Sequence, residues 1–144
     1  MPTITKVVVV DAQLSKIYSY VSKPSNLLQI WPGLIEMSSE KLLPNGGYSF
    51  RWMYKMFGIY LKGKGEGVDI VPNLRLTSMN TGSINSLITW TFRSNNLKTT
   101  ITLTANYQVP SPILDRFTEN IIIKMGEKEA ELILYHLRII FEGR

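Results

Sequence analysis

The stretch that decides the fold runs from Ser111 to Gly143 and reads SPILDRFTENIIIKMGEKEAELILYHLRIIFEG. Apolar residues recur along it at helical spacing. Ser111 suits a helix N-cap, Pro112 the first helical position and Gly143 the exit. These signals predict one amphipathic helix, about 45 Å long at the usual α-helical rise. A helix of this length needs a broad surface to lie on.

The chain ahead of this helix consists mostly of segments typical of β-strands. Strands are expected at 3–11, 34–43, 48–56, 59–71, 74–81, 84–94 and 98–109, where β-branched and aromatic residues lie between turn signals. Two short helices, at 14–21 and 25–31, should separate the first strand from the second. The order predicts an α+β fold with a seven-stranded antiparallel sheet and a long C-terminal helix.

Side chains on the predicted strands alternate between a large apolar face and a polar face. The apolar face of the strand at 48–56 carries Tyr48, Phe50, Trp52, Tyr54 and Met56. Such alternation indicates a sheet with one buried face and one wet face.

A glycine-rich strand departs from this pattern. Gly63, Gly65 and Gly67 share one parity, whereas the next apolar residues, Val68 and Ile70, have the other. The shift predicts a β-bulge between Gly63 and Gly67. The glycines either let the sheet curl around the helix or leave room for a ligand, and both readings can hold.

The predicted helix has an apolar stripe, formed by Leu114, Ile121, Ile122, Met125, Leu132, Ile139 and Ile140. Its C-terminal half, with Leu134, Leu137 and Phe141, is apolar nearly all round, so it should be gripped from more than one side. Gly126 costs about 1 kcal/mol relative to alanine in mid-helix. It is either a tolerated defect or a bend that opens a cavity mouth.

Composition bounds the class of protein. The 144 residues, 44% hydrophobic and 19% charged, suit a single globular domain over 1–144. The longest apolar run is too short to cross a bilayer, which favours a soluble, cytoplasmic protein. The chain has no cysteine, which excludes disulfides, a thiol nucleophile and a thiolate metal site. The net charge of +5 is modest for a dedicated nucleic-acid binder.

The order of elements resembles the helix-grip fold of the START-like and SRPBCC superfamily, which includes the polyketide cyclase/dehydrase and lipid transport proteins. Local matches lie at Val7 to Ala12, Ile17 to Pro24, Trp31 to Leu34, Leu43 to Gly47 and Leu137 to Glu142. The resemblance covers essentially the whole chain. It implies a deep, mostly apolar pocket between a curved sheet and the long helix.

Strand and helix parity selects the candidate residues that line this pocket. They are Trp31, Met37, Phe50, Trp52, Tyr54, Leu76, Ile88, Trp90, Leu103, Tyr107, Ile121 and Met125. Large aromatic side chains could equally fill the space themselves. Buried tyrosine hydroxyls and tryptophan N–H groups would need partners, either from a ligand or from water.

Few residues could support chemistry inside such a pocket. The chain has one histidine, His136, so no histidine cluster for a metal is possible, and neither a metal nor another cofactor is predicted. His136 is either a structural residue or a polar handle in the pocket. Glu66, Asp69, His136 and Tyr107 are the only expected sources of an inward acid or base. No catalytic residue is assigned.

Basic residues are expected on the outer face of the sheet, at Arg51, Lys55, Lys62, Lys64, Arg75 and Arg93. They form either an ordinary solvated surface or a weak contact site for an anionic membrane or an acidic protein. Nucleic acid is not an expected partner, because the aromatic residues point to the other face and cannot stack on bases.

Three functions follow. The first is binding or transport of a small hydrophobic molecule, such as a lipid, isoprenoid, quinone or aromatic metabolite. The second is a cyclase or dehydratase type of enzyme acting on such a molecule. The third is an interaction module that uses the basic outer face of the sheet.

Overall fold

The computed structural model describes residues 2–143. Its elements, in chain order, are β1 (Thr3–Val10), α1 (Leu14–Ser22), a 3₁₀ helix (Pro24–Gln29), β2 (Leu34–Leu42), β3 (Tyr48–Met56), β4 (Ile59–Val71), β5 (Arg75–Gly82), β6 (Ser86–Asn95), β7 (Lys98–Tyr107), α2 (Ser111–Leu114) and α3 (Glu119–Glu142). The seven strands form one antiparallel sheet in the order β1-β7-β6-β5-β4-β3-β2. The sheet curves around α3, which confirms the predicted α+β helix-grip fold.

The predicted single helix from Ser111 to Gly143 is wrong, because α2 and α3 are separate. Thr118 is extended, with φ −70° and ψ 153°, and its hydroxyl accepts a hydrogen bond from Ile121 N, so α3 starts afresh there. The residue before it, Phe117, stacks on Phe57 with ring centroids 4.2 Å apart. At the other end Gly143 is left-handed, with φ 70°, and caps α3 as expected. Ser111 is the first residue of α2 and not its N-cap, which is Pro110.

The predicted bulge in the glycine-rich strand is also misplaced. Pairing of β4 with β5 is regular from Gly63 to Gly67, and its register shifts between Gly67 and Asp69. Val68 is therefore the extra residue, and both Val68 and Asp69 are exposed. The bulge returns Ile70 to the inner face, where its side chain lies against Gly47 and Gly67.

The buried stripe of α3 is shifted from the predicted one. Its buried residues are Ile122, Ala130, Ile133, Leu134 and Leu137. Of the predicted stripe, Ile121, Ile139 and Ile140 are exposed outside the cavity lining, whereas Met125 and Leu132 are exposed but border the cavity. Sequence periodicity predicted the helix correctly, but it centred the inward face about one residue away from the face that the structure buries. The reason is that the C-terminal half of α3 is apolar nearly all round, so the pattern alone does not favour one face.

The largest buried cluster joins α1, the C-terminal half of α3 and the strands β6 and β7. It includes Ile17, Val21, Phe92, Ile101 and Leu137, each at most 2% exposed. Burying such a side chain contributes about 1.5–3 kcal/mol. The ring of Phe141 meets that of Tyr20 edge-on at 5.4 Å, so the end of α3 is held from a second side, as predicted.

Gly126 lies at a point where α3 packs closely against β1 and β7. A Cβ at this position would lie 2.6 Å from Cδ1 of Ile4 and 3.2 Å from the hydroxyl of Tyr107. The helix continues unbroken through Gly126. The glycine therefore permits close approach of α3 to β1 and β7, a role that the sequence did not indicate. That a bend at Gly126 opens the cavity mouth stays a prediction.

Candidate ligand-binding cavity

A cavity of about 430 Å³ lies between the inner face of the sheet and α3. Its walls come from β3, β5, β6 and β7 on one side, from residues 122–133 of α3 on the other, and from the turn that follows the 3₁₀ helix. The volume is within the range of about 300–1,000 Å³ found for small-molecule sites. The helix and sheet therefore do not close completely on each other.

Nine of the twelve residues predicted to bind a ligand line this cavity. They are Trp31, Met37, Phe50, Trp52, Tyr54, Ile88, Leu103, Tyr107 and Met125. Strand alternation places the β3 residues here, because β3 pairs regularly with β4 from Ser49 to Met56. That these residues bind a ligand stays a prediction.

The other three predicted residues lie elsewhere. Leu76 and Trp90 are direct cross-strand neighbours on β5 and β6, and both are buried in the main core. Strand alternation predicted correctly that both side chains point to the inner face of the sheet. It did not predict that they lie in the closed core, outside the cavity. Ile121 is 47% exposed and outside the lining, whereas its neighbour Ile122 faces the cavity.

The turn between β3 and β4 borders the cavity through Phe57. Phe57 has φ 53° and Gly58 φ 79°, a pair of left-handed residues that suits a tight hairpin turn. Asparagine is more usual than phenylalanine at such a position, and the stack of Phe57 on Phe117 accounts for the ring there. Exposed lysines, Lys55 and Lys128, also border the cavity.

Glu129 is the functional candidate that sequence reasoning missed. It lies in the cavity wall, where its Oε2 accepts a hydrogen bond from Gly33 N at 2.9 Å and its Oε1 accepts one from the hydroxyl of Tyr54. Helical spacing could have found it, because Glu129 is seven residues after Ile122 and four before Ile133, in the middle of the buried stripe.

Burial shifts the proton equilibria of this pair. Desolvation raises the pKa of Glu129 above its ordinary value, and the bonds from Tyr54, Gly33 and Trp31 reduce that increase. Desolvation, followed by the charge of Glu129, raises the pKa of Tyr54 well above 10.0. The arrangement can hold a proton between a carboxyl and a phenol inside an apolar wall.

Of the four residues that the sequence offered as an acid or base, three lie outside the cavity lining and one lies in it. Glu66 is exposed, and Asp69 is exposed on the outer face, where its Oδ2 lies 2.7 Å from Nε of Arg75. His136 is outside the cavity lining and its Nδ1 donates a hydrogen bond to the carbonyl of Ile30 at 3.1 Å, which supports the structural role. Tyr107 alone of the four lines the cavity.

Of the six basic residues predicted for the outer face, Lys55 departs from the prediction, because it borders the cavity near the end of β3. Arg51 and Lys64 are directly opposite each other on β3 and β4, and both are exposed. Glu66 follows two residues after Lys64 on the same face, so acidic residues interrupt the positive surface. Association with an anionic membrane or acidic protein stays a prediction.

Within residues 2–143 no helix combines the length and apolar character that crossing a bilayer requires. Over the same residues no three histidine, cysteine, aspartate or glutamate side chains gather in a way that could hold a metal ion.

A curved antiparallel sheet gripping a C-terminal helix, with a cavity between them, defines the START-like class of proteins. Residues 1–142 match the family described as polyketide cyclase / dehydrase and lipid transport, and the chain belongs to that family. No curated protein sequence matches the chain.

Solved structures with the same fold span nearly the whole chain. A START superfamily protein from Mycobacterium smegmatis is similar with a TM-score of 0.81 and 15% identity, over 97% of each chain. A protein from Thermus thermophilus is similar with a TM-score of 0.80 and 18% identity, over 99% of this chain and 100% of that one. The Zhui aromatase/cyclase of a Streptomyces strain is similar with a TM-score of 0.74 and 13% identity, over 98% and 93%. At these identities the likeness establishes the shared fold.

Proposed function

We propose that this protein binds a small hydrophobic molecule in the cavity between the sheet and α3, and carries or senses it without changing it. The observation that carries the proposal is the cavity itself, about 430 Å³ in volume and walled mainly by apolar and aromatic side chains. Apolar surface left unburied by the protein favours an apolar guest, since removing that surface from water is worth roughly 25 cal/mol per Å². Membership in a family of lipid transport and polyketide cyclase proteins supports the same class of ligand.

Native mass spectrometry of freshly purified protein tests this proposal. We expect a species heavier than the 16.4 kDa chain, from which organic extraction releases an apolar molecule. We also expect the protein to bind a hydrophobic fluorescent probe such as 1-anilinonaphthalene-8-sulfonate. The bare chain mass together with no probe binding would rule out the carrier function.

A matched pair of variants locates the binding. Ala105 lines the cavity, whereas Thr104 is its neighbour on β7 and points to the outer face, opposite Thr5. We expect Ala105→Phe to reduce ligand recovery and probe affinity by at least about tenfold, because the ring occupies the cavity. Thr104→Phe should leave both unchanged. Circular dichroism confirms that each variant is folded before the comparison is made.

Glu129 and Tyr54 favour a second candidate function, proton-transfer chemistry of the cyclase or dehydratase type. A carboxyl with a raised pKa can act as a general acid or base, and its contact with a phenol keeps it oriented. The test follows the molecule recovered from the protein over time by mass spectrometry. Turnover by the native chain, lost in Glu129→Gln with binding retained, supports this function, and an unchanged ligand rejects it.

A further inference from the structure

The exposed face of α3 carries a row of apolar side chains. Five of them are between 38% and 57% exposed: Ile121, Met125, Leu132, Tyr135 and Ile139. Single apolar residues are normal on a protein surface, whereas a contiguous apolar patch marks a site of contact. We call this row, together with the exposed Lys128 that lies within it, the outer seam of α3.

The outer seam has the spacing of a coiled coil. From Ile121 to Ile139 its members follow one another at intervals of four, three, four, three and four residues. This alternation keeps the side chains in line along one side of a helix, where they can pack between those of a second helix. The seam is about 27 Å long at the usual α-helical rise. A single polar residue in such a seam, here Lys128, fixes the register of the pair at some cost in stability.

The charges of α3 favour a protein partner over a membrane. Between Glu119 and Glu142 the helix has five glutamates against three lysines or arginines, so its formal charge is −2 although the whole chain carries +5. A helix that lies on an anionic membrane has basic residues along its polar face. The mixture of signs on α3 suits instead a surface on which acidic and basic groups can pair.

The charges beside the outer seam indicate that the partner is a second copy of this chain. Lys124, Glu131 and Arg138 follow the seam at intervals of seven residues, so positive and negative charges alternate. In an antiparallel pair of α3 helices, Glu131 of each copy can lie opposite Arg138 of the other. The Glu131 side chain is 56% exposed beside its partner Lys6, which leaves room for a second cation. Arg138 is 54% exposed beside Glu142 and is similarly accessible.

The seam residues fit the same antiparallel arrangement. With a two-fold axis between positions 133 and 134, Leu132 lies opposite Tyr135 of the second copy, and Ile139 lies opposite Lys128. The aliphatic stem of that lysine can cover the isoleucine while its ammonium group reaches water. In a parallel pair, by contrast, Lys128 would face Lys128 of the second copy, and a direct contact of like charges opposes association.

The outer seam also borders the cavity. Met125, Lys128 and Leu132 are exposed, and all three belong to the cavity lining. Part of the cavity wall is therefore formed by side chains that are open to solvent along the seam. A second helix packed there would cover this part of the wall, and removal of apolar surface from water drives such packing.

We propose that two copies of this chain associate through the outer seams of their α3 helices, packed antiparallel, and that each copy covers the exposed part of the other's cavity wall. The association depends on the surface of α3 and does not require a bound ligand. Its consequence for the cavity is a more closed state in the dimer than in the monomer.

Sedimentation equilibrium over a range of protein concentrations tests the association. We expect the native mass to approach twice the 16.4 kDa of one chain as the concentration rises. Tyr135→Lys and Ile139→Lys, both outside the cavity lining, should each weaken the association by at least about tenfold, because they place a charge in the seam. Leu97→Lys is the matched control, since Leu97 is 87% exposed in the turn between β6 and β7, and it should leave the association unchanged.

The absence of cysteine from the chain allows a test of helix orientation. Lys128→Cys and Ile139→Cys are mixed under oxidising conditions. A disulfide-linked dimer should form in the mixture and with neither variant alone, because antiparallel packing brings position 128 of one copy close to position 139 of the other. Linkage of Ile139→Cys with itself would show parallel helices and would overturn the proposed packing.

Release of bound 1-anilinonaphthalene-8-sulfonate tests the effect on the cavity. It should be at least about fivefold slower from the native dimer than from Tyr135→Lys, and equal rates would show that the second copy does not close the cavity. A native chain that stays monomeric at every concentration overturns the proposal. If that monomer binds vesicles containing phosphatidylserine and Ile139→Asp abolishes the binding, a membrane occupies the seam instead. If the probe does not bind at all, the carrier function fails, while sedimentation still decides the association.

Discussion

Removing the carboxyl of Glu129 should loosen the contact between α3 and the turn that carries Gly33. In Glu129→Ala the N–H of Gly33 and the hydroxyl of Tyr54 both lose their acceptor. Bonds to a charged acceptor contribute about 1.5–3 kcal/mol each. Two such bonds total roughly 3–6 kcal/mol, from which the several kcal/mol spent on burying the carboxylate must be subtracted. We therefore expect a loss of about 2 kcal/mol in the free energy of unfolding.

The glutamine variant separates hydrogen bonding from charge. In Glu129→Gln the side-chain oxygen can still accept from Gly33 N, and the amide can donate to the oxygen of Tyr54. Its stability should lie within about 1 kcal/mol of the native protein. Urea unfolding at pH 7 gives the free energies, and the alanine variant should also melt about 6 °C lower, at roughly 2–4 °C per kcal/mol for a chain of this size.

Glu131→Ala provides the control on the same helix, because it removes only the exposed ion pair with Lys6 and should leave the unfolding midpoint nearly unchanged. Two results would contradict this prediction: a Glu129→Ala variant as stable as the native protein, or a Glu129→Gln variant destabilised as much as Glu129→Ala. Either result would mean that the two hydrogen bonds do not hold the turn to the helix.

Three further predictions concern pH, the glycines and the start of α3. Burial raises the pKa of Glu129 in the folded state above 4.5, so the stabilisation linked to its proton is full below that pH and is lost as the pH rises through the folded pKa. Over that range the free energy of unfolding of Glu129→Gln should rise relative to that of the native protein, as measured by urea unfolding at several pH values. A difference that does not change with pH would contradict this prediction. Gly63→Ala should lower the free energy of unfolding by about 3 kcal/mol or more, because its Cβ would meet the backbone oxygen of Thr81. Gly126→Ala should change it by no more than about 1 kcal/mol, since the flexible end of the Ile4 side chain can move aside and alanine favours the helix. Equal losses for the two variants in thermal melts would contradict this difference. Thr118→Ala should lower the free energy of unfolding by about 1 kcal/mol, because it removes the N-cap hydrogen bond of α3, whereas Thr118→Ser retains that bond. A melting temperature that does not change in Thr118→Ala would show that the cap does not stabilise the helix.

The particular residues show how far sequence patterns reach in this chain. Alternation along β3 placed Phe50, Trp52 and Tyr54 on the cavity face correctly, because strand geometry fixes the direction of every second side chain. The same rule placed Trp90 on the right face but in the closed core, since alternation carries no information on the position along the strand at which the helix lifts away from the sheet.

What the amino-acid sequence determined by itself is the local structure: the strands, the short helices, the glycine that ends α3 and the apolar face of the sheet. These follow from interactions between residues close together in the chain, whose spacing the sequence displays. Only the tertiary structure decided that Thr118 divides the terminal helix, that Gly126 lets it approach the sheet, and that Glu129 meets Gly33 and Tyr54 from 96 and 75 residues away. Those contacts depend on how curved surfaces fit in three dimensions, a property that no periodicity along the chain encodes.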